Sequence, residues 1–262
     1  MVKESNITSY LKHNLTTRYM GKTAYYTPVT SSTMDEARIL AEQGAPEGTA
    51  IIAGKQQTGR GRMGRSWLSP EGGLATSIVL HPPSDSLRML PAIASVAVHK
   101  TIDMMGIQAS IKWPNDVLIS GKKVCGILIE NAFHEGNLVY SIIGIGINVN
   151  FDTTLFPEIA DIATSLSVEL RKEISIAEVA INLYSEMENL YDRIDEPDFI
   201  FGEWIRHMDT IGKRVSANFG IRTIEGIAES INPDGNLVLR LGDGSLYEVI
   251  AGDVTNIRDK AK

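Results

Sequence analysis

Between residues 117 and 150 three apolar stretches follow one another with almost no chain between them. Residues 117–119 (Val-Leu-Ile) lead through Ser120-Gly121 to residues 124–130, and these lead through His134-Glu-Gly136 to residues 137–150. Connections this short can join only antiparallel strands, because parallel neighbours need a crossover of a dozen residues or more. The middle of the chain is therefore expected to be an antiparallel sheet, which excludes a doubly wound nucleotide-binding fold. Two further stretches, residues 49–54 and 74–80, also read as strands. Between them, residues 55–73 hold too many glycines and charges for a helix or a strand and are expected as a long loop tethered at both ends.

Helices are expected around this sheet. Thr33-Met-Asp-Glu36 has the form of a capping box ahead of Met34, Ala37, Leu40 and Ala41, and Gly44 and Pro46 stop it. Pro91 opens a second helix ending at Gly106, and Ser175-Ile-Ala-Glu178 caps a third, with an apolar face of Ile176, Val179, Ala180, Leu183, Met187, Leu190 and Ile194. A short helix after Pro197 carries Phe199, Phe201, Trp204 and Ile205. From about Thr210 the pattern changes to short strands with turns at residues 218–220, 232–235 and 242–244, which suggests a small appended β-barrel. The expected division is an N-terminal arm (residues 1–22), a main domain (residues 23–208) and the barrel (residues 209–262). Its class is α+β, with a mixed, largely antiparallel sheet and flanking helices.

Composition removes several function classes. The 262 residues carry 25 Lys+Arg against 32 Asp+Glu, a formal charge of −7, unlike the basic footprint of a dedicated nucleic-acid binder. One cysteine, Cys125 in an apolar stretch, rules out an internal disulfide and reads as a buried small hydrophobe. The five histidines show no metal-ligand spacing. Residues 1–22 lack the apolar core of a secretory signal, and no apolar run is long enough to span a bilayer, so a soluble cytoplasmic protein is expected.

Three constellations could carry chemistry. In residues 55–67, Lys55, Arg60, Arg62 and Arg65 stand among Gly59, Gly61 and Gly64 with no acidic residue. Glycines let backbone approach a ligand, and arginine forks match phosphate or carboxylate oxygens. Composition alone allows an anion-binding loop or a solvated basic one. Next comes Lys112-Trp-Pro-Asn115-Asp116, followed by Lys122-Lys123 and Gly126. Lys112 and Lys123, at opposite ends of one hairpin, could reach a common phosphate, and Asp116 could hold Mg²⁺. Taken alone, these residues better suit a core tryptophan, a turn beginning at Asp116 and solvated lysines. The third, Gly144-Ile-Gly146-Ile-Asn148-Val-Asn150, fails both as a dinucleotide fingerprint and as a Walker loop. Gly144 and Gly146 are expected to clear one strand face for something packed closely.

Together, residues 59–67, 112–116, 123–130 and 144–148 resemble, in order, the motifs of biotin protein ligases, and the resemblance covers about residues 20 to 260. It implies a catalytic domain like the class II aminoacyl-tRNA synthetase core, then an SH3-like barrel. The implied activity forms biotinyl-5′-AMP from biotin and ATP with Mg²⁺, then transfers biotin to a lysine of a biotin carboxyl carrier domain. The resemblance places Ser32, Thr33, Met34, Gln56, Arg60, Gly61, Arg62, Lys123 and Gly126 around biotin. It places Arg60, Arg65, Trp67, Lys112, Asn115, Lys123 and Asn148 around ATP. Arg62, Lys112 and Lys123 would assist the chemistry, and a homodimer is common among such proteins. A lipoate or octanoate transferase would share the fold but lack the Gly-Arg-Gly-Arg loop. A DNA-binding repressor would need a winged helix-turn-helix, for which residues 1–22 leave no room. A binding module built on the barrel would leave the arginine loop unexplained.

Overall fold

The computed structural model describes residues 7–219, 222–250 and 253–256. In chain order the elements are α1 (Ile7–Asn14), β1 (Ala24–Thr30), α2 (Thr33–Glu42), β2 (Thr49–Gln56), β3 (Gly73–Leu80) and α3 (Leu90–Asp103). Then come β4 (Ala109–Lys112), β5 (Asp116–Ile119), β6 (Lys122–His134), β7 (Asn137–Asn148), α4 (Leu166–Leu170), α5 (Ile176–Tyr191) and α6 (Pro197–Arg206). The chain continues through β8 (Arg214–Asn218), β9 (Thr223–Ile231), β10 (Leu237–Arg240), β11 (Leu246–Val249) and β12 (Asp253–Asn256).

Strands β1 to β7 form one sheet in the order β1-β2-β3-β7-β6-β5-β4. Only β1 and β2 run parallel, joined through α2, and every other pair is antiparallel. The two short turns have both central residues at positive φ: Ser120 (50°) with Gly121 (80°), and Glu135 (49°) with Gly136 (82°). That geometry matches the twist of the flanking strands, so β5, β6 and β7 follow one another directly in the sheet. Helices α3 and α5 pack on each other and on one sheet face, and α2 packs on the other. Helix α3 is buried on nearly all sides, which explains its run of Ile, Ala and Val. Helix α5 is capped by Ser175, whose hydroxyl accepts from the Glu178 amide; Val179, Ala180, Leu183, Met187 and Leu190 are buried as its period requires, Ile176 is half-buried, and Ile194 is buried in the turn that follows.

The C-terminal strands form a separate antiparallel sheet in the order β11-β10-β9-β8-β12. It is docked against the main sheet: the Trp113 indole N–H donates to the Gly235 carbonyl (3.1 Å), and the Trp113 amide donates to Thr210 Oγ1 (2.9 Å). The expected turn at residues 218–220 lies partly outside the described residues.

One expectation, the Thr33 cap, needs correcting. Ahead of β1, Ile7, Leu11, Leu15 and Met20 are buried, and α1 packs on α5. The Glu188 carboxylate accepts from the backbone amides of Arg18, Tyr19 and Met20 (2.8–3.0 Å), closing the segment onto α5. Burial opposes charge on Glu188, but these three donors hold its pKa below the usual carboxylate value. Thr33 does not cap α2. Ser32 occupies the cap position without a side-chain cap bond, and Thr33 turns its hydroxyl toward Gln56. In α6 the buried residues are Ile200, Phe201 and Trp204, and Ile205 is exposed.

Candidate active site

About 880 Å³ of space, part of it open to solvent, lies between the cleft-facing side of β6 and β7, the N-terminus of α2 and the arginine loop. Its floor exists because side chains are missing. Gly126 and Gly146 face each other across β6 and β7, and the Trp67 indole lies over both. A Cβ built on Gly146 would sit 2.4 Å from Trp67 Nε1, and one on Gly126 would sit 2.9 Å from Trp67 Cζ3. Gly144 makes room for Met34 in the same way. The strand face expected to be clear of side chains is therefore filled from above by the loop and α2.

One end of the cleft is built from short polar side chains. The Thr33 amide and hydroxyl both donate to Gln56 Oε1 (2.9 and 3.1 Å), and Ser77 Oγ donates to Thr33 Oγ1 (2.7 Å). With its oxygen committed, Gln56 has only its amide nitrogen left to donate to a ligand. Ser32 Oγ is buried without a partner. A buried hydroxyl left unpaired is costly, so a ligand that bonds it would gain correspondingly.

The arginine loop is a small closed hairpin rather than an irregular run. Gly61 N donates to Arg65 O (2.7 Å) and Trp67 N to Gly59 O (2.8 Å), while Met63 and Gly64 turn the tip at φ 57° and 72°. Arg62 Nη1 reaches across the cleft to Asn115 Oδ1 (3.1 Å), and Asn115 Nδ2 is fixed on Ile127 O (2.5 Å). Arg65 and Ser66 also border the space, as does Val254 of the C-terminal sheet. Arg60 borders it too, but its guanidinium is bound by Asp35 and Glu130.

Beyond the loop, Lys123 Nζ lies 2.7 Å from Asp116 Oδ1 and 5.3 Å from the centre of the Trp67 ring. Lys112 stands opposite Asp116 in the β4–β5 register and also borders the cleft. Lys122, one residue away, is exposed and outside it, as the alternation of strand side chains requires. Among the described residues, then, Arg62, Arg65, Lys112 and Lys123 bring positive charge to the cleft beside one carboxylate, Asp116, while the charge of Arg60 is taken up by Asp35 and Glu130. In a chain with formal charge −7 this is a local reversal of sign, and it suits an anionic ligand.

Asn148 does not line the cleft. It is 4% exposed, and its amide nitrogen donates to Thr164 O (2.9 Å), bracing the segment whose backbone pairs with Lys123. Cys125 is fully buried, and burial pushes its thiol well above the usual range, so it is no nucleophile. Ser77, Thr76, Leu128 and Ile145, which the sequence reading missed, lie close by. Their only sequence signal was membership of apolar strands. No group of three acidic, histidine or cysteine side chains fit to hold a metal occurs among the described residues.

Residues 26–148 match the Biotin/lipoate A/B protein ligase family, and residues 210–255 match the Biotin protein ligase C terminal domain. The Bifunctional ligase/repressor BirA of Bacillus subtilis is 40% identical over 253 residues, covering 94% of this chain and 78% of that protein. The chain belongs to the biotin protein ligase family. The Biotin--[acetyl-CoA-carboxylase] ligase of Paracoccus denitrificans is 30% identical over 220 residues, 80% of this chain and 91% of that one. Among solved structures, biotin protein ligase from Aquifex aeolicus in complex with biotin and ATP superimposes with a TM-score of 0.78 at 30% identity. That match covers 91% of this chain and 100% of the other.

Proposed function

We propose that this chain is a biotin protein ligase that joins biotin to ATP, releasing pyrophosphate, and then passes the biotinyl group to a lysine of a biotin carboxyl carrier domain. The observation that carries this reading is the pairing of a small polar pocket, containing the unpartnered Ser32 hydroxyl, with a cation-lined chamber in one cleft. The polar end suits an uncharged urea-like ring: Gln56 Nε2 donates to its carbonyl, and Ser32 Oγ bonds its N–H or O. Thr33, held by Ser77, fixes the Gln56 amide in that sense.

The first step brings a carboxylate to the α-phosphate, and two anions must approach. Lys123 would sit between them, exchanging Asp116 for the substrate oxygens. Arg62, Arg65 and Lys112 supply charge where it builds on the leaving pyrophosphate. Trp67 provides a flat apolar face for the adenine, and Asn115 holds Arg62 in position. Asn148 acts on this site only through the backbone beside Lys123. Gly61 lets the loop backbone come close to the adenylate, and Met34 borders the biotin end. The closed hairpin loop keeps water from the mixed anhydride until the acceptor lysine attacks the acyl carbon and AMP departs.

A single carboxylate already paired with lysine is a thin donor set, and it fits a Mg²⁺ carried in on the phosphates rather than one caged by protein. Such an ion, when bound, neutralises phosphate charge, and Asp116 is the residue here that would reach it.

Incubation with ATP, Mg²⁺ and biotin, followed by mass spectrometry, should reveal biotinyl-AMP, and lipoate in place of biotin should give no adenylate. Lipoyl-AMP with no biotinyl-AMP would overturn the proposal.

A further inference from the structure

At the root of the arginine loop four charges close a ring. Arg60 Nη1 lies 2.6 Å from Asp35 Oδ1, and Arg60 Nη2 lies 3.4 Å from Glu130 Oε1. Arg38 joins the same two carboxylates, at 3.5 Å from Asp35 and 2.6 Å from Glu130. Each cation thus touches both anions, and the ring carries no net charge. Its members come from three elements: Asp35 and Arg38 from the first turns of α2, Glu130 from β6, and Arg60 from the loop.

Of the loop's arginines, Arg60 sits where the hairpin begins. It pairs with Ser66 across the hairpin, and the flanking bond from Trp67 N to Gly59 O closes the next rung. Holding Arg60 therefore holds Trp67 as well, and with it the indole over Gly126 and Gly146. Because its guanidinium already serves two carboxylates, Arg60 is poorly placed to lend its charge to a phosphate.

We infer that Arg60 is a positioning residue rather than a substrate ligand: with Asp35, Arg38 and Glu130 it forms a clasp that pins the base of the loop. A planar two-ended fork is required to span both carboxylates, so lysine cannot replace it. The consequence for the loop is independent of activity. The consequence for the adenylate rests on the ligase reading above.

The test uses the whole chain and four variants: Asp35→Asn, Glu130→Gln, Arg60→Ala and Arg60→Lys. Hydrogen exchange of the free protein, followed over residues 59–67, should be roughly two- to fivefold faster in all four, the scale expected for losing part of an ion-pair network at a partly exposed site. Biotinyl-AMP should leave all four faster by a similar factor, while its single-turnover formation stays within about threefold of wild type. Wild-type exchange in both carboxylate variants would overturn the inference. So would a hundredfold or greater loss of adenylate formation in Arg60→Ala that Glu130→Gln does not share, since that would make Arg60 a ligand. If the wild-type chain forms no biotinyl-AMP, the ligase reading fails, and the exchange measurement still decides the clasp.

Discussion

Gly146→Ala should open the loop without unfolding the protein. Gly146 lies in β7, two residues before its end, with no positive φ, so alanine adds no backbone strain. What it adds is a methyl group 2.4–2.9 Å from three atoms of the Trp67 indole. The strand cannot retreat, because β7 is hydrogen-bonded on both sides, to β3 and to β6. The indole must move instead, taking Trp67 N and the hairpin with it. Overpacking of this kind costs about 1–3 kcal/mol. At about 2 kcal/mol the closed loop loses roughly 30-fold in population, since each 1.4 kcal/mol is a factor of ten. Trp67 belongs to neither buried cluster, so the core stays packed and the melting temperature should fall by no more than the roughly 4–8 °C that 2 kcal/mol gives a chain of this size. The KM for ATP and the dissociation rate of biotinyl-AMP should each rise by roughly that 30-fold. Gly144→Ala is the control: its methyl group meets the Met34 thioether sulfur at 2.6 Å, a flexible chain end that can swing aside, and effects on ATP should stay within about threefold. A Gly146→Ala protein with wild-type KM for ATP and wild-type adenylate retention would refute the steric argument.

Lys123→Ala should slow adenylate formation by on the order of 10²–10³-fold, the usual loss for one preorganised donor, and Lys122→Ala should change it little. Burst measurements of pyrophosphate release on both would show it, and equal small effects would remove Lys123 from the chemistry. Arg62→Ala removes the contact across the cleft to Asn115, so biotinyl-AMP should escape and label exposed lysines of a bystander protein, read by streptavidin blotting; strict acceptor specificity would count against a covering role. Acid should weaken the fold through His99 and His207, whose rings stack at 3.9 Å. Burial lowers the pKa of both, and for His99 the neighbouring His207 lowers it further. The unfolded chain then binds more protons below pH of about 6.5, so stability is full above that value and falls as pH drops toward the folded values. His207→Tyr keeps a ring on the stack and should make melting temperature fall less between pH 7.5 and 5.5; an unchanged slope would place the acid sensitivity elsewhere.

The parts of the fold visible in the sequence were those with a local cause. Turns needing positive φ announced the β5–β6–β7 order, Ser175 announced a helix start, and two glycines two residues apart announced a bare strand face. Strand β1 gave no such signal: it lies at the sheet edge, holds Pro28, and exposes Tyr25 and Val29, so no alternation survives. Thr33 looked like a cap because the capping pattern is defined by spacing alone, whereas its hydroxyl is claimed by Gln56, 23 residues away. Asn148 sits in a matching motif, yet burial against Thr164 directs its amide into the fold. The charge ring joins residues 35, 38, 60 and 130, a set that no periodicity or spacing brings together.

Strand β6 begins with Lys123 next to its first residue and carries Glu130 seven residues further on, about 23 Å along the strand. A bulge after Lys123, where Leu118 pairs with Lys123 and Val117 with Cys125, lets residues seven apart lie on one face, so one strand measures out both the lysine of the cleft and the landing point of the loop. Inserting or deleting a single residue between them would reverse the face of everything downstream, turning Glu130 away from Arg60 while Lys123 stayed in place. The stretch from Lys123 to Glu130 is consequently locked in length, and tolerance for insertions should begin only past it, at the far Glu135-Gly136 turn.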